Sequence, residues 1–147
     1  MIEFSLIAFP FLFLLLATFE IGFVYWATDE LDNAANDAAR LVRTGQVQTG
    51  KLNQAQLKAQ ICSKTTVLLD CETKLRLDLR SAGTFAGITP PDPVGSNGAL
   101  KGDGDFTFSP GDGNDVILLS AFYNWSSFLL TGDYLLRAAM PARNEPF

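Results

Sequence analysis

Residues 4–27 read FSLIAFPFLFLLLATFEIGFVYWA, and residues 28–44 continue as TDELDNAANDAARLVRT. The first stretch holds 24 residues and only one charged side chain, Glu20. At ~1.5 Å per residue, a helix of that length extends about 36 Å, enough to cross a hydrocarbon core of ~30 Å. The stretch therefore predicts one membrane-spanning helix.

Two other interpretations of the apolar stretch fit its residues less well. A signal peptide has a basic start, a shorter apolar core and a small-x-small cleavage site, none of which is visible. The buried helix of a soluble core is usually apolar on one side, whereas phenylalanines occur here on all faces. Tyr25 and Trp26 at its end resemble an interfacial aromatic belt.

Charge divides the chain in two. The net charge of the 147 residues is −5, yet the first 28 residues contain only Glu3 and Glu20 as charged side chains. We predict a transmembrane and assembly part over residues 1–28 and an α+β domain over residues 29–147. A remainder of this size can bury one hydrophobic core.

The helix is predicted to continue past the membrane to about residue 44. Its apolar side chains there share an arc of about 120°, the stripe of an amphipathic helix: Leu31, Ala34, Ala35, Ala38, Leu41 and Val42. Thr44-Gly45 then provides a stop, and Arg40 and Arg43 suit the C-terminal end of the helix dipole. The first half of this helix is apolar all round and the second half on one side.

Shorter elements follow. Asn53 with Gln56 three residues later predicts a capped helix that runs to about Ser63. Leu75, Leu77 and Leu79 alternate with Arg76, Asp78 and Arg80, which predicts a strand with one buried and one solvated face.

Residues 116–125 are apolar on both faces, as expected of a central strand that lies under the helix. Residues 135–142 predict a third strand, which Pro141 restricts to an edge. Residues 81–114 are rich in Gly, Pro, Asp and Ser and predict a long loop. The sum is an α+β fold, a long N-terminal helix packed on a small antiparallel sheet.

Composition argues against several functions. The chain has no histidine, which excludes Ser-His-Asp and Cys-His catalysis and His-ligated zinc. No nucleophile–base pair or cofactor loop is evident, so we expect neither an enzyme nor a bound cofactor. An acidic chain with few basic clusters is also expected to bind nucleic acid poorly.

Cys62 and Cys71 are the only cysteines. A close pair in a small domain favours a disulfide and an oxidising compartment, which places the domain outside the cytoplasmic membrane. Closing so short a ring contributes about 2.7 kcal/mol on the chain-entropy model. The alternative is a pair of free thiols in a reducing cytosol.

The N-terminal residues carry a family resemblance. Ile2-Glu3-Phe4-Ser5-Leu6-Ile7-Ala8, the Phe9-Pro10 step, Glu20-Ile21-Gly22 and Ala38-Ala39-Arg40 resemble TadE-like pseudopilins, as does the ending Arg143-Asn144-Glu145-Pro146-Phe147. The resemblance implies a pilin-like fold and a minor pilin of a tight-adherence (Tad, Flp-type) pilus.

The resemblance also implies a location and partners. Such a subunit is a single-pass protein of the bacterial inner membrane with a periplasmic or extracellular domain, and it enters the pilus or its assembly base. Its partners are other pilin subunits, membrane lipid and the assembly machinery. Family precursors are cleaved after a glycine upstream of the Glu-Phe pair, which cannot be mapped here because only Met1 and Ile2 precede Glu3. The alternative is a single-pass protein whose 81–114 loop binds a ligand.

Glu3, Pro10 and Glu20 are the candidate assembly residues. A carboxylate in a membrane span costs about 2.5–3.5 kcal/mol at mid-bilayer, so it needs a reason. Glu3 is either a solvated head-group acid or the partner of a cation on a neighbouring subunit. Glu20 either reaches the interface by snorkelling or is neutral by protonation, and the alternative is that it packs against a partner helix. Pro10 removes one main-chain hydrogen bond and could loosen the helix for assembly.

Two further patterns have competing explanations. The alanines Ala34, Ala35, Ala38 and Ala39 allow close packing, for which the domain's own sheet is the simpler partner and another subunit the alternative. Four aspartates lie among glycines in a loop whose oxygen ligands would suit calcium: Asp103, Asp105, Asp112 and Asp115. We prefer a solvated turn, because calcium-binding glycine-aspartate repeats work as arrays and one copy is present.

Overall fold

The computed structural model describes residues 2–96, 98–129 and 132–147. Its first element is the long helix α1, Ile2–Arg43, with Pro10 inside it and with Arg40 and Arg43 in its last turn. The helix ends where predicted, because Gly45 adopts a left-handed conformation with φ 74°. Among the described residues, this is the one helix long and apolar enough to cross a membrane by length and composition.

Three shorter α-helices follow among the described residues: α2, Gln46–Thr49, α3, Gln54–Lys64, and α4, Cys71–Lys74. The predicted cap of α3 is confirmed. The Asn53 side chain accepts a hydrogen bond from the Gln56 backbone N–H at 2.8 Å, and the Gln56 side chain accepts one from the Asn53 N–H at 2.9 Å. The single turns α2 and α4 were not predicted, because neither is long enough to show a periodic pattern.

The described strands form one antiparallel sheet in the order β1-β2-β3: β1, Leu75–Ala82, β2, Val116–Ser126, and β3, Asp133–Arg143. The long β2 is central, as predicted, with Leu75 opposite Tyr123 and Arg143 opposite Val116. Pro141 lies in the edge strand β3, opposite Leu118. β3 begins two residues earlier than predicted, since Asp133 and Tyr134 already pair with β2.

The core lies between α1 and one face of the sheet. The helix contributes its small and aliphatic side chains, and the four stripe alanines are buried in this core. The sheet contributes inward-facing residues from all its strands: Leu75, Leu77, Leu79, Leu119, Ala121, Tyr123, Leu136 and Ala138. The expected α+β arrangement is therefore confirmed.

The outer face of β1 differs from the prediction. Asp78, expected in solvent, is fully buried. Its carboxylate accepts hydrogen bonds from Arg80 Nε at 2.7 Å and from the Thr107 backbone N–H at 3.0 Å. The cause is the 81–114 loop, which folds back over this face and stacks Phe106 on Phe122 with ring centroids 5.6 Å apart. Alternation along a strand cannot reveal such a cover.

Candidate functional site

The N-terminal part of α1 stands clear of the domain. Between Glu3 and Phe19 the described side chains are exposed, apart from those of Ala8 and Ala17, which are half-buried. The exposed residues are mostly large and apolar: Phe4, Leu6, Ile7, Phe9, Phe11, Leu12, Phe13, Leu14, Leu15, Leu16 and Phe19. We call residues 3–19 the exposed helix segment. An apolar surface this continuous is typical of a lipid-facing or protein-binding surface.

Two of the three candidate assembly residues lie on this segment. Glu3 is exposed in the first turn of α1, and the described residues provide no salt bridge to it. Pro10 is exposed within the helix. Because Pro10 has no N–H, the hydrogen-bonded ladder lacks one bond there. Both residues are positioned to contact something outside the subunit.

Glu20 has a different environment. Only 4% of it is exposed, although its neighbours Phe19 and Ile21 are exposed. Its Oε1 is buried without a hydrogen-bond partner among the described residues. Glu20 lies one and two turns before Val24 and Ala27, on the helix face that continues into the core. The domain's cover over α1 therefore begins at Glu20, inside the apolar stretch.

The lengths of the elements place the β2–β3 end of the sheet at the level of Glu20. The Glu145 backbone N–H donates to the Arg43 carbonyl at 2.9 Å, so the ends of β3 and α1 lie together. The 11 residues of β3 extend about 33 Å back from there at ~3.3 Å per residue. The same distance along α1 is roughly 22 residues, which leads back to the turn that carries Glu20. Trp125, at this end of β2, packs against the core, and its Nε1 is also buried without a partner among the described residues.

A disulfide and a tyrosine fix the region between α3 and the sheet. Cys62 and Cys71 are bonded, as predicted, and join α3 to α4. The buried Tyr123 hydroxyl donates to the Leu69 carbonyl at 2.5 Å. Burial raises the pKa of Tyr123 above its ordinary value, and the nearby Asp70 carboxylate adds to the effect.

Two acids of α1, the half-buried Glu30 and the exposed Asp37, hold the segment after α3 against the helix. The Glu30 carboxylate accepts hydrogen bonds from the Thr66 hydroxyl at 3.0 Å and from the Thr66 and Val67 backbone N–H groups at 3.0 and 3.1 Å. Asp37 pairs with Lys64 at 2.6 Å, and this hydrogen bond and charge lower the pKa of Asp37. These acids, which follow the apolar stretch, thus have a structural use.

The four loop aspartates do not come together. Asp103 pairs with Lys58 at 3.0 Å and with Arg76 at 3.5 Å. Asp105 accepts from the Gly102 N–H, and Asp115 accepts from the Asp112 N–H. In the part of the chain that the structure describes, no group of three or more His, Cys, Asp or Glu side chains is placed to hold a metal ion.

The C-terminal residues have a structural role that the sequence did not reveal. The buried Asn144 side chain donates to the carbonyls of Pro110 and Asp112, both at 2.9 Å. The Phe147 ring lies so close to Gly45 that a Cβ there would be 2.7 Å from it. The ending therefore ties the aspartate loop to the C-terminal end of α1. The glycines of the loop were the only sequence signal of this close packing. They could not identify their partners, because those partners are distant in the sequence.

One comparison bears on identity. Residues 1–40 match the family model of TadE-like protein. The match confirms the resemblance that the N-terminal motifs indicated, and it covers the exposed helix segment together with most of the part of α1 that packs on the sheet. Comparisons with curated proteins and with solved structures gave no match.

Proposed function

We propose that the chain is a structural subunit, a minor pilin or pseudopilin, of a Tad (Flp-type) pilus. The observation that carries the proposal is the coincidence of two ranges. The exposed helix segment, which the domain leaves uncovered, lies within the 40 residues that match the TadE-like family. A subunit of this kind needs such a helix twice, first to stay in the membrane and then to pack among other subunits.

The membrane-bound state is a single-pass protein of the bacterial inner membrane. The exposed helix segment supplies the apolar length, and the disulfide between Cys62 and Cys71 supports an exported, oxidising location for the domain. The lipid around the helix and the assembly machinery are the partners in this state. No catalytic step is part of the proposal.

In the assembled state, other pilin subunits replace lipid around the helix. Glu3 is our candidate for pairing with a cation of a neighbouring subunit, because it is exposed and charged in a region otherwise free of charge. Pro10 is the candidate for a looser helix turn. For Glu20 we keep a role in helix packing, and any partner must displace the cover that its own domain provides.

Crosslinking tests the proposal directly. A photoreactive phenylalanine analogue replaces Phe9 or Phe13 in cells that make the pilus, and replaces Phe85 as the matched control. All three are exposed phenylalanines, but Phe85 lies on the domain. We expect adducts with a pilin from positions 9 and 13, and incorporation of the protein into sheared filaments.

Two results would contradict the proposal, the first as a whole and the second in one part. One is the absence of pilin adducts from positions 9 and 13 while the protein stays in the membrane fraction, which favours the membrane-anchored binding protein. The other is Glu3→Gln assembling as well as wild type, which removes the pairing role of Glu3 and leaves the rest of the proposal standing.

A further inference from the structure

The domain has an apolar end that faces the exposed helix segment. Phe128, in the β2–β3 turn, is 57% exposed, and Tyr134 at the start of β3 is exposed as well. Leu69 is also exposed, and its carbonyl accepts a hydrogen bond from the Tyr123 hydroxyl near the same end of β2. We call Leu69, Phe128 and Tyr134 the apolar rim. Three exposed apolar side chains at the same end of the domain indicate a candidate contact surface.

The position of the rim along α1 indicates what it contacts. The lengths of the elements place the β2–β3 end at the level of Glu20, which precedes Ala27, the end of the apolar stretch, by seven residues. That separation corresponds to about 10 Å along the helix. If the apolar stretch occupies the hydrocarbon core, the described residues at this end of the hairpin reach about as deep as interfacial elements, which insert about 5–10 Å.

The composition of this region fits that boundary. Tyr25 and Trp26 are exposed on α1, and Tyr134 and Phe128 are exposed on the hairpin. Aromatic side chains are enriched at this level of a bilayer. The charged residues closest in sequence to the rim, Asp70 and Asp133, are exposed acids. A contact between this region and the membrane would therefore be driven by burial of apolar surface and not by attraction to anionic lipid.

We propose that the apolar rim, led by Phe128, is a second membrane contact, inserted in the interfacial layer beside α1. The inference rests on the proposed function in one respect, namely that the apolar stretch of α1 spans the bilayer. Its consequence is that the domain has a fixed height and tilt on the membrane, because one helix and one hairpin together define an orientation that a single helix does not.

A depth measurement on the full chain tests the proposal. Single cysteines replace Phe128, Phe13 or Phe85, and an iodoacetamide nitroxide labels the new thiol and leaves the disulfide intact. The chain is placed in phosphatidylcholine vesicles, and collisions of the label with oxygen and with a water-soluble nickel complex are compared. Phe85 is the matched control, because it is 63% exposed and follows the opposite end of β1.

We expect the ratio of oxygen to nickel collisions to be several-fold higher at position 128 than at position 85, and higher still at position 13. Adding phosphatidylglycerol or salt should leave the ratio at position 128 unchanged. Equal ratios at 128 and 85 would overturn the membrane contact. Protection of position 128 from both reagents would overturn it too, because it indicates a protein contact.

The reading at position 13 separates the two proposals. A collision ratio typical of lipid at position 13, with a ratio typical of water at position 128, would support the membrane span and contradict the rim contact. A collision ratio typical of water at position 13 would contradict the membrane span itself. The circular dichroism spectrum of each labelled variant, compared with that of the unlabelled chain, confirms that the fold is retained.

Discussion

At the scale of single residues, Glu20 combines two properties that rarely occur together. It lies in the apolar stretch, and it is buried by its own domain with one oxygen that has no hydrogen-bond partner among the described residues. A buried polar atom without a partner costs about 1–3 kcal/mol. A residue retained at such a cost is a candidate for a role that stability does not explain.

Replacing Glu20 with leucine should therefore stabilise the isolated subunit. We expect Glu20→Leu to raise the free energy of unfolding in detergent by about 1–3 kcal/mol, because it removes the unsatisfied oxygen. Glu3→Leu is the control and should change stability little, since Glu3 is exposed. Higher stability with weaker incorporation into filaments would support a role in assembly. A loss of stability would show that Glu20 has a partner within the subunit.

Tyr123 predicts how stability depends on alkaline pH. Its pKa is raised in the folded state by burial and by Asp70. The resulting stabilisation is fully present below the ordinary pKa of about 10 and is lost as pH rises through the raised value. Thermal unfolding between pH 8 and 11 should show a loss above pH ~10 in the wild type that is smaller in Tyr123→Phe. Tyr25→Phe, which alters an exposed tyrosine, should behave like the wild type.

At the scale of elements, the alanine stripe sets the distance between α1 and the sheet. Ala35 is fully buried, whereas the adjacent Asn36 is exposed. We expect Ala35→Leu to lower the free energy of unfolding by about 1–3 kcal/mol through overpacking. Asn36→Leu should change it by less than about 0.5 kcal/mol. Equal effects in urea unfolding would mean that the stripe is not the packing face.

The elements that could be predicted from the sequence depend on local signals. The α1 stop at Gly45, the Asn53 cap and the alternation of Leu75, Leu77 and Leu79 each involve residues within one turn or one strand. The burial of Asp78 and the role of Asn144 depend on contacts with residues about 30 positions away. The burial of Glu20 also depends on residues far away in the sequence. The prediction that Glu20 faces lipid or a partner helix therefore did not include this burial.

At the scale of the whole molecule, α1 belongs to both predicted parts of the chain. The division at residue 28 follows charge, whereas the covered face of the helix begins at Glu20. The domain therefore packs on the last two turns of the apolar stretch. Because the helix is continuous from Ile2 to Arg43, any rotation of the apolar stretch relative to the domain changes this contact.

Inserting one alanine after Ala27 tests this continuity. A helix advances about 100° per residue, so the insertion turns Glu20, Val24 and Ala27 away from the hairpin while residues 31–42 stay in place. We expect the unfolding temperature in detergent to fall by roughly 5 °C or more, as for a loss of about 2 kcal/mol in a domain of this size. An alanine inserted after Phe13 is the control. It rotates only part of the exposed helix segment, which the domain does not contact, and should leave the unfolding temperature unchanged. Equal unfolding temperatures for the two insertions would show that the hairpin gains nothing from the helix below residue 28.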